Sequence, residues 1–122
     1  MSNAINWFEI PVDDFDRACR FYSEILSREL HTENMMGAQM GFLSFGPDSV
    51  GGAIIKFEGF VPSDKGTLVY LNGGEDLTSV LNKVEVAGGK VIQPKTKISD
   101  EIGFMARFKD TEGNVVALHS PK

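Results

Sequence analysis

The feature that most limits how this chain of 122 residues can fold is an order of elements that occurs twice. Each half begins with an apolar strand, continues with a helix that starts at acidic residues, and ends with three further strands. The predicted strands are 5–12, 29–35, 39–45 and 51–57 in the first half and 67–71, 90–97, 102–108 and 115–119 in the second. A unit repeated at a fixed spacing indicates an internal duplication. The sequence therefore predicts an α+β fold of two βαβββ modules, about 5–58 and 67–120, joined by a linker at 59–66.

Both predicted helices carry one apolar stripe at helical spacing. The first begins after Asp13 or Asp14, because a short carboxylate accepts hydrogen bonds from the free N–H groups of a first turn. The second begins at Glu75 and Asp76 and ends at Gly88, because glycine adopts the left-handed backbone that terminates helices. The apolar positions are Phe15, Ala18, Cys19, Tyr22, Ile25 and Leu26 in the first helix and Leu77, Val80, Leu81, Val84 and Ala87 in the second. Each helix is therefore expected to cover one face of a sheet.

Successive side chains of a strand point to opposite faces of its sheet, which assigns faces in the first and last strands. In the first strand, Trp7 and Glu9 share one face, and Ile10 lies on the other, which the first helix is expected to cover. In the last strand, Ala117 and His119 share a face. The faces that carry Trp7 and Ala117 are therefore the ones left free for function.

Composition favours one soluble globular domain over residues 1–122. Hydrophobic residues make up 42% and charged residues 24% of the chain, which are ordinary globular values. A net charge of −5 argues against a nucleic-acid partner. One cysteine excludes an internal disulfide and suits a reducing compartment. Because no apolar run is long enough to span a membrane and no signal pattern opens the chain, we predict a cytoplasmic location and no membrane partner.

Two motifs point to a family. The first is the turn at 110–114, Asp-Thr-Glu-Gly-Asn, in which glycine and asparagine tolerate the positive φ angles of a hairpin connection. The second is 8–22, an apolar strand followed by Asp14, Arg17-Ala18 and Phe21-Tyr22. Together they resemble the last turn and the opening of the vicinal oxygen chelate superfamily, which includes glyoxalases, extradiol dioxygenases and bleomycin-resistance proteins. The resemblance implies sheets curled into cups, helices on the outer faces, and a homodimer.

The resemblance implies a particular arrangement for a metal site. In metal-dependent members of that superfamily, each of four strands carries one metal ligand, usually His or Glu. The matching positions here are Trp7, Val69 and Ala117, with the fourth inside 52–55, where Gly-Ala-Ile-Ile offers no ligand in any register. A divalent transition metal needs three or four nitrogen, oxygen or sulfur donors aimed at one point. We therefore predict neither a metal site nor a cofactor.

Trp7 and Glu9 are the most informative residues on the predicted cup face. Trp7 is expected either to stack on a planar ligand or to fill the space of a metal and its waters. Glu9 lies on a strand that is expected to be buried, and a buried carboxylate needs a partner. It is a candidate general base or a contact for a cationic group. The structural alternative is a salt bridge to Lys56 or a hydrogen bond to His119.

Four other positions complete the predicted ligand site, namely Val69, Ala117, Lys56 and His119. Val69 and Ala117, at vacant ligand positions, are expected to contribute apolar surface to the cup. Lys56 and Glu58 alternate on one face near the module junction, where they either line the cup mouth and select charge or form an ordinary exposed ion pair.

The two histidines receive different predictions, although neither matches a ligand position of the superfamily. His119 shares a face with Ala117 and is a candidate acid or base beside Glu9, or else a satisfied polar residue at the sheet rim. His31 lies on a polar strand and is expected to be a surface residue.

These residues support three functional hypotheses. The first is a metal-free protein that binds or sequesters a small organic molecule, as the resemblance to bleomycin-resistance proteins implies, with an acidic balance suited to a cationic guest. The second is a metal-free lyase or isomerase in which Glu9, with His119, moves protons on a carbonyl compound. The third, metal-assisted glyoxalase or dioxygenase chemistry, is disfavoured by the missing ligands. An interaction module without a ligand is the remaining alternative.

Overall fold

The computed structural model describes residues 3–122, which form two βαβββ modules with a four-stranded sheet in each. The first module contains β1 (Trp7–Pro11), α1 (Phe15–Leu26), β2 (His31–Met35), β3 (Ala38–Ser44) and β4 (Gly51–Lys56). The second contains β5 (Tyr70–Asn72), α2 (Thr78–Val84), β6 (Lys90–Ser99), β7 (Gly103–Lys109) and β8 (Val115–Ser120). The strand orders are β1-β4-β3-β2 and β5-β8-β7-β6, so both modules have the same topology. The predicted α+β fold with a repeated module is confirmed.

Both sheets are mixed, because the first strand of each module runs parallel to its last. β1 pairs with β4 in register Trp7↔Gly51, and β5 pairs with β8 in register Tyr70↔Ala117. The other neighbouring strands are antiparallel. β4 begins at two glycines because no side chain fits there: a Cβ on Gly52 would lie 2.2 Å from the Phe8 ring. These pairings settle the register of β4.

The first helix has a side-chain cap at its start and a left-handed residue at its end. The Asp14 carboxylate accepts a hydrogen bond from the Arg17 backbone N–H at 3.1 Å, as an N-cap residue does. Ser27 closes the helix in the left-handed region, with φ of 55°. Of its buried residues, Ala18, Tyr22 and Ile25 lie on the predicted stripe, and Phe21 is buried in addition to them.

The second module has a shorter first strand and a shorter helix than the sequence predicts. β5 spans only Tyr70–Asn72, and α2 ends at Val84, so Ala87 lies in the turn that follows. The chain reverses there because Gly88 adopts a φ of 106° and the Gly89 N–H bonds to the Val84 carbonyl at 2.9 Å. In residues 3–122, neither helix is long and apolar enough to cross a membrane.

One hydrophobic core joins the two modules. It contains the inner faces of both helices and the sheet faces that the helices cover, including Ile10 and Ile54 from the first sheet and Leu118 from the second. The Phe21 ring of α1 lies 5.8 Å from the Phe108 ring of β7, centroid to centroid. Burying side chains of this size stabilises a fold by about 1.5–3 kcal/mol each, so the two modules stabilise one another.

The turn at Asp110–Asn114 connects both modules and the linker. Asp110 is 4% exposed, and its carboxylate accepts hydrogen bonds from the Tyr22 hydroxyl at 2.7 Å and from the Asn114 and Glu112 backbone N–H groups. The Asn114 side chain donates to the Pro11 carbonyl at 2.8 Å and accepts from the Ser63 N–H at 3.0 Å. Burial, and then the Asp110 charge, raises the pKa of Tyr22 well above 10, so the phenol stays protonated and donates.

Glu112 of the same turn holds the start of α1. Its side chain is 0% exposed and accepts hydrogen bonds from the backbone N–H groups of Asp13 and Asp14 and from the Arg17 guanidinium at 2.8 Å. Burial by itself would raise the pKa of Glu112, but the bonds from Arg17, Asp14, Thr111 and Asp13 outweigh it and lower the pKa to about 2. The turn at Asp110–Asn114, which carries the family resemblance, therefore holds the two modules together through hydrogen bonds.

Candidate aromatic ligand site

The face of the first sheet that points away from the helices forms an open surface. Ile10 and Ile54 occupy the core, so their strand neighbours Trp7, Glu9 and Ala53 lie on the opposite face. The strand registers extend that face across the sheet through Met40 and Phe42 of β3 and His31, Glu33 and Met35 of β2. We call this surface the open face of the first sheet.

Four rings gather on this open face and form what we call the aromatic cluster: Trp7, His31, Phe42 and Phe45. The Trp7 and Phe42 rings meet edge to face with centroids 5.8 Å apart. The His31 ring stacks on Phe42 at 5.8 Å and 15°, and Phe45 closes the group 5.5 Å from Phe42. Trp7 is 39% exposed and Phe45 is 63% exposed, so the rings remain accessible to a ligand.

Beside the rings lies a small apolar floor. Ala38, Met40, Ala53 and Ile55 form a second buried cluster, separate from the main core, and Phe42 packs against it. Accessible aromatic edges over an apolar floor are typical of surfaces that bind organic molecules.

Two carboxylates border the aromatic cluster. The Trp7 indole N–H donates to Glu9 Oε2 at 3.3 Å, and His31 Nε2 lies 2.9 Å from Glu33 Oε1. Glu9 is exposed, so the prediction that its strand buries it is wrong. Glu9 stays exposed on the open face of β1 in the described part of the chain, where it forms neither the predicted Lys56 salt bridge nor the predicted His119 hydrogen bond. The two carboxylates give this surface a negative charge.

Three of the predicted ligand-site residues do not lie on the open face of the first sheet. Lys56 lies on the helix side of β4, where its ammonium donates to the Asp13 carbonyl at 2.6 Å, so it does not line the cup mouth. Val69 packs against the main core, because the β5 register puts Tyr70 rather than Val69 beside Ala117. Ala117 is on the free face of the second sheet but is 0% exposed.

His119 is also on the free face of the second sheet, not beside Glu9. Its Nε2 lies 2.6 Å from the Ile102 carbonyl oxygen, a distance at which the ring N–H donates to that acceptor. The pairing of strands β5 and β8 puts Asn72 opposite it. The structure therefore supports the prediction of a satisfied polar residue near a sheet end more than that of an acid or base partner for Glu9.

The residues at the superfamily's ligand positions do not fit a metal. Trp7 presents an indole, Val69 faces the core, and the Ala117 methyl is covered. Among residues 3–122, no three His, Cys, Asp or Glu side chains are grouped so as to hold a metal ion. On the open face, His31 and Glu33 bring two donors together, and a transition metal needs more.

The aromatic cluster contains residues that sequence reasoning missed. His31 was expected to be an ordinary surface residue, and Phe42 and Phe45 were expected only as parts of a strand. Alternation along β3 does put Phe42 and Met40 on one face. It does not show that β2 pairs with β3 so that His31 lies opposite Phe42, because pairing register is a long-range property.

The fold belongs to the class of proteins that have two βαβββ modules, in which the helices of both modules pack on one shared core. The sequence profile of the Glyoxalase/Bleomycin resistance protein/Dioxygenase superfamily matches residues 4–118. The chain belongs to this superfamily. No curated protein matches the sequence.

Solved structures share this fold at low sequence identity. A glyoxalase/bleomycin resistance protein from Albidiferax ferrireducens is 13% identical with a TM-score of 0.74, and the match covers 95% of this chain and 97% of that one. An antibiotic-binding protein from a Streptomyces species is 22% identical with a TM-score of 0.65, covering 99% and 98%. Glyoxalase I from Zea mays is 18% identical with a TM-score of 0.66, covering 94% of this chain but 43% of that one. These similarities show that this chain has the same fold as those proteins.

Proposed function

We propose that this protein binds a small organic molecule on the open face of its first sheet, without a metal ion. The aromatic cluster is the observation that carries the proposal, because four rings are assembled beside an apolar floor and stay accessible. Core packing would bury such rings, whereas a binding surface leaves them exposed. An antibiotic-binding protein among the structural relatives is consistent with this use of the fold.

The proposed ligand is planar or apolar and carries a positive charge. Aromatic faces attract cations, and the Glu9 and Glu33 carboxylates beside the rings add to that attraction. The net charge of −5 acts in the same direction over longer distances. A metal-free lyase or isomerase using Glu9 and His119 is less favoured, because the two residues lie on different sheets and His119 is bonded to Ile102. A cytoplasmic location and a homodimer are retained as parts of the proposal.

Binding can be followed with the protein's own fluorescence, since Trp7 is its single tryptophan and belongs to the aromatic cluster. We expect benzyltrimethylammonium to produce a saturable change in Trp7 emission. Replacing the central ring, Phe42→Ala, is expected to weaken binding by about 3- to 10-fold, because an aromatic contact contributes about 0.5–1.5 kcal/mol. The matched control is Phe60→Ala, which removes an exposed ring outside the cluster.

Results of two kinds would contradict this proposal, one from the binding test and one from metal addition. One is an equal loss of affinity in the Phe42→Ala and Phe60→Ala variants, or no saturable change with any organic probe. The other is a rise in Tm at near-stoichiometric Zn²⁺, Ni²⁺, Mn²⁺ or Fe²⁺, which would overturn the metal-free part.

Charge selection at Glu9 gives a separate prediction. The Glu9→Gln variant keeps an acceptor for the Trp7 N–H but removes the charge, so the ring geometry should be preserved. We expect affinity for benzyltrimethylammonium to fall by about 2- to 5-fold, since exposed charge pairs contribute at most about 1 kcal/mol. Affinity for the neutral probe benzyl alcohol should not change. Equal losses for both probes would show that Glu9 acts through shape and not through charge.

A further inference from the structure

A second concave surface lies between the modules, at the edge of β1. It is a groove of about 320 Å³, and both modules and the linker contribute to it. Its walls are apolar and come from Phe8 and Ile10 of β1, Val69 before β5, and Val116 of β8. Lys65 adds one positive side chain to its lining, and Glu9 borders it with its backbone, because the Glu9 side chain lies on the open face of the first sheet. None of the four apolar wall residues belongs to the aromatic cluster, so this surface goes beyond the proposed function.

Backbone groups of β1 also face the groove. Within residues 3–122, β1 pairs with a single strand, β4, and the Val12 N–H donates to the Ile55 carbonyl at 2.9 Å. In a parallel pair, both backbone groups of a residue point to the same side and alternate along the strand, so Glu9 presents its N–H and C=O away from β4. The equivalent carbonyl of Pro11 is already bonded to Asn114. The groove is therefore bordered by the backbone donor and acceptor of Glu9 as well as by its apolar walls.

We propose that this groove binds a zwitterionic molecule with an apolar side chain, namely an apolar α-amino acid. The side chain packs between the walls, the carboxylate faces the Lys65 ammonium, and the ammonium group donates to the Glu9 backbone carbonyl. A volume of about 320 Å³ is at the low end of the range for ligand sites, which suits a molecule of this size. Lys65 is free to reorient, since its side chain is 86% exposed and its ammonium lies 3.3 Å from one exposed partner, Asp64.

Three probes of one carbon skeleton separate these contacts: L-leucine, 3-methylbutylamine, which lacks the carboxylate, and 4-methylpentanoate, which lacks the ammonium. By isothermal titration calorimetry, we expect L-leucine to bind about tenfold more tightly than either analogue. The Lys65→Gln variant should lose about 3- to 5-fold in affinity for L-leucine and for 4-methylpentanoate, but none for 3-methylbutylamine.

A groove-filling variant tests the location. Thr67 lines the groove and is exposed, so Thr67→Phe is expected to abolish L-leucine binding without disturbing the core. It should leave benzyltrimethylammonium binding at the aromatic cluster unchanged, and Thr32→Phe on exposed β2 is the matched control. Absence of heat with L-leucine, equal affinity for all three probes, or unchanged L-leucine binding in Thr67→Phe would each overturn the inference. Because Phe42→Ala reports on the other surface, failure of one proposal is distinguishable from failure of the other.

Discussion

The Asp110→Ala substitution is expected to lower the free energy of unfolding by about 3–5 kcal/mol, because it leaves several buried polar groups without partners. The Tyr22 hydroxyl loses its acceptor at 2.7 Å, and the Asn114 and Glu112 N–H groups lose theirs at 2.9 Å. The Tyr22 side chain is fully buried, so water does not replace the lost bond. The turn also bonds to Pro11, so the damage extends to the contact between the modules.

Urea denaturation of the wild type and the variant gives this difference directly. Asp110→Asn retains one oxygen acceptor, so its free energy of unfolding should lie between those of the wild type and Asp110→Ala. Asp48→Ala removes an exposed carboxylate in a loop and is expected to change stability by less than about 0.5 kcal/mol. The combination of Asp110→Ala with Tyr22→Phe should be less destabilising than the sum of the two, since the residues share a hydrogen bond. If Asp110→Ala lowered the free energy of unfolding by less than about 1 kcal/mol, the turn would not be what holds the two modules together.

The Glu112→Gln substitution is expected to destabilise the protein by about 1.5–3 kcal/mol at pH 7, because it removes charge-assisted bonds to Arg17 and to the start of α1. The effect depends on pH in a defined direction. The pKa of Glu112 is lowered from 4.5 to about 2 in the folded protein, so its stabilising charge is fully present above pH 4.5. That contribution is lost as the pH falls from 4.5 towards 2.

Unfolding free energies measured at pH 7, 4 and 3 test this dependence. The difference between the wild type and Glu112→Gln should shrink as the pH falls, because protonation makes the wild-type side chain resemble the amide. Glu101→Gln, an exposed position, provides a matched control and should show no such trend. A difference that stays constant across this range would show that Glu112 acts through shape alone.

Several features of this fold follow from residues close together in the sequence. The Asp14 cap and the apolar stripe of α1 are local, since a helix depends on neighbours within one or two turns. The turn at 110–114 is local as well, because glycine and asparagine determine its backbone. Alternation along β1 assigned Trp7 and Glu9 to one face and Ile10 to the core, as the structure has it. These signals, repeated in the second half, were enough to predict the two modules and their class.

The candidate site depended on contacts between residues far apart in the chain. β4 is apolar on both faces up to Ile55, so alternation could not tell on which side of the sheet Lys56 would lie. The register of β5 against β8, which turns Val69 to the core, is set by pairing across more than 40 residues. The same reason applies to His31, which joins the aromatic cluster only because β2 pairs with β3 opposite Phe42.

The sequence by itself determined the repeated module, the helix-covered faces and the poor fit of Trp7 and Ala117 to a metal, because these follow from residue type and short-range period. The tertiary structure alone decided which polar and aromatic groups meet. It exposed Glu9 beside Trp7 and assembled the rings of the first sheet. It also separated His119 from Glu9 and opened a groove between the modules. Strand pairing and module packing bring distant residues together, and no short stretch of sequence encodes that geometry.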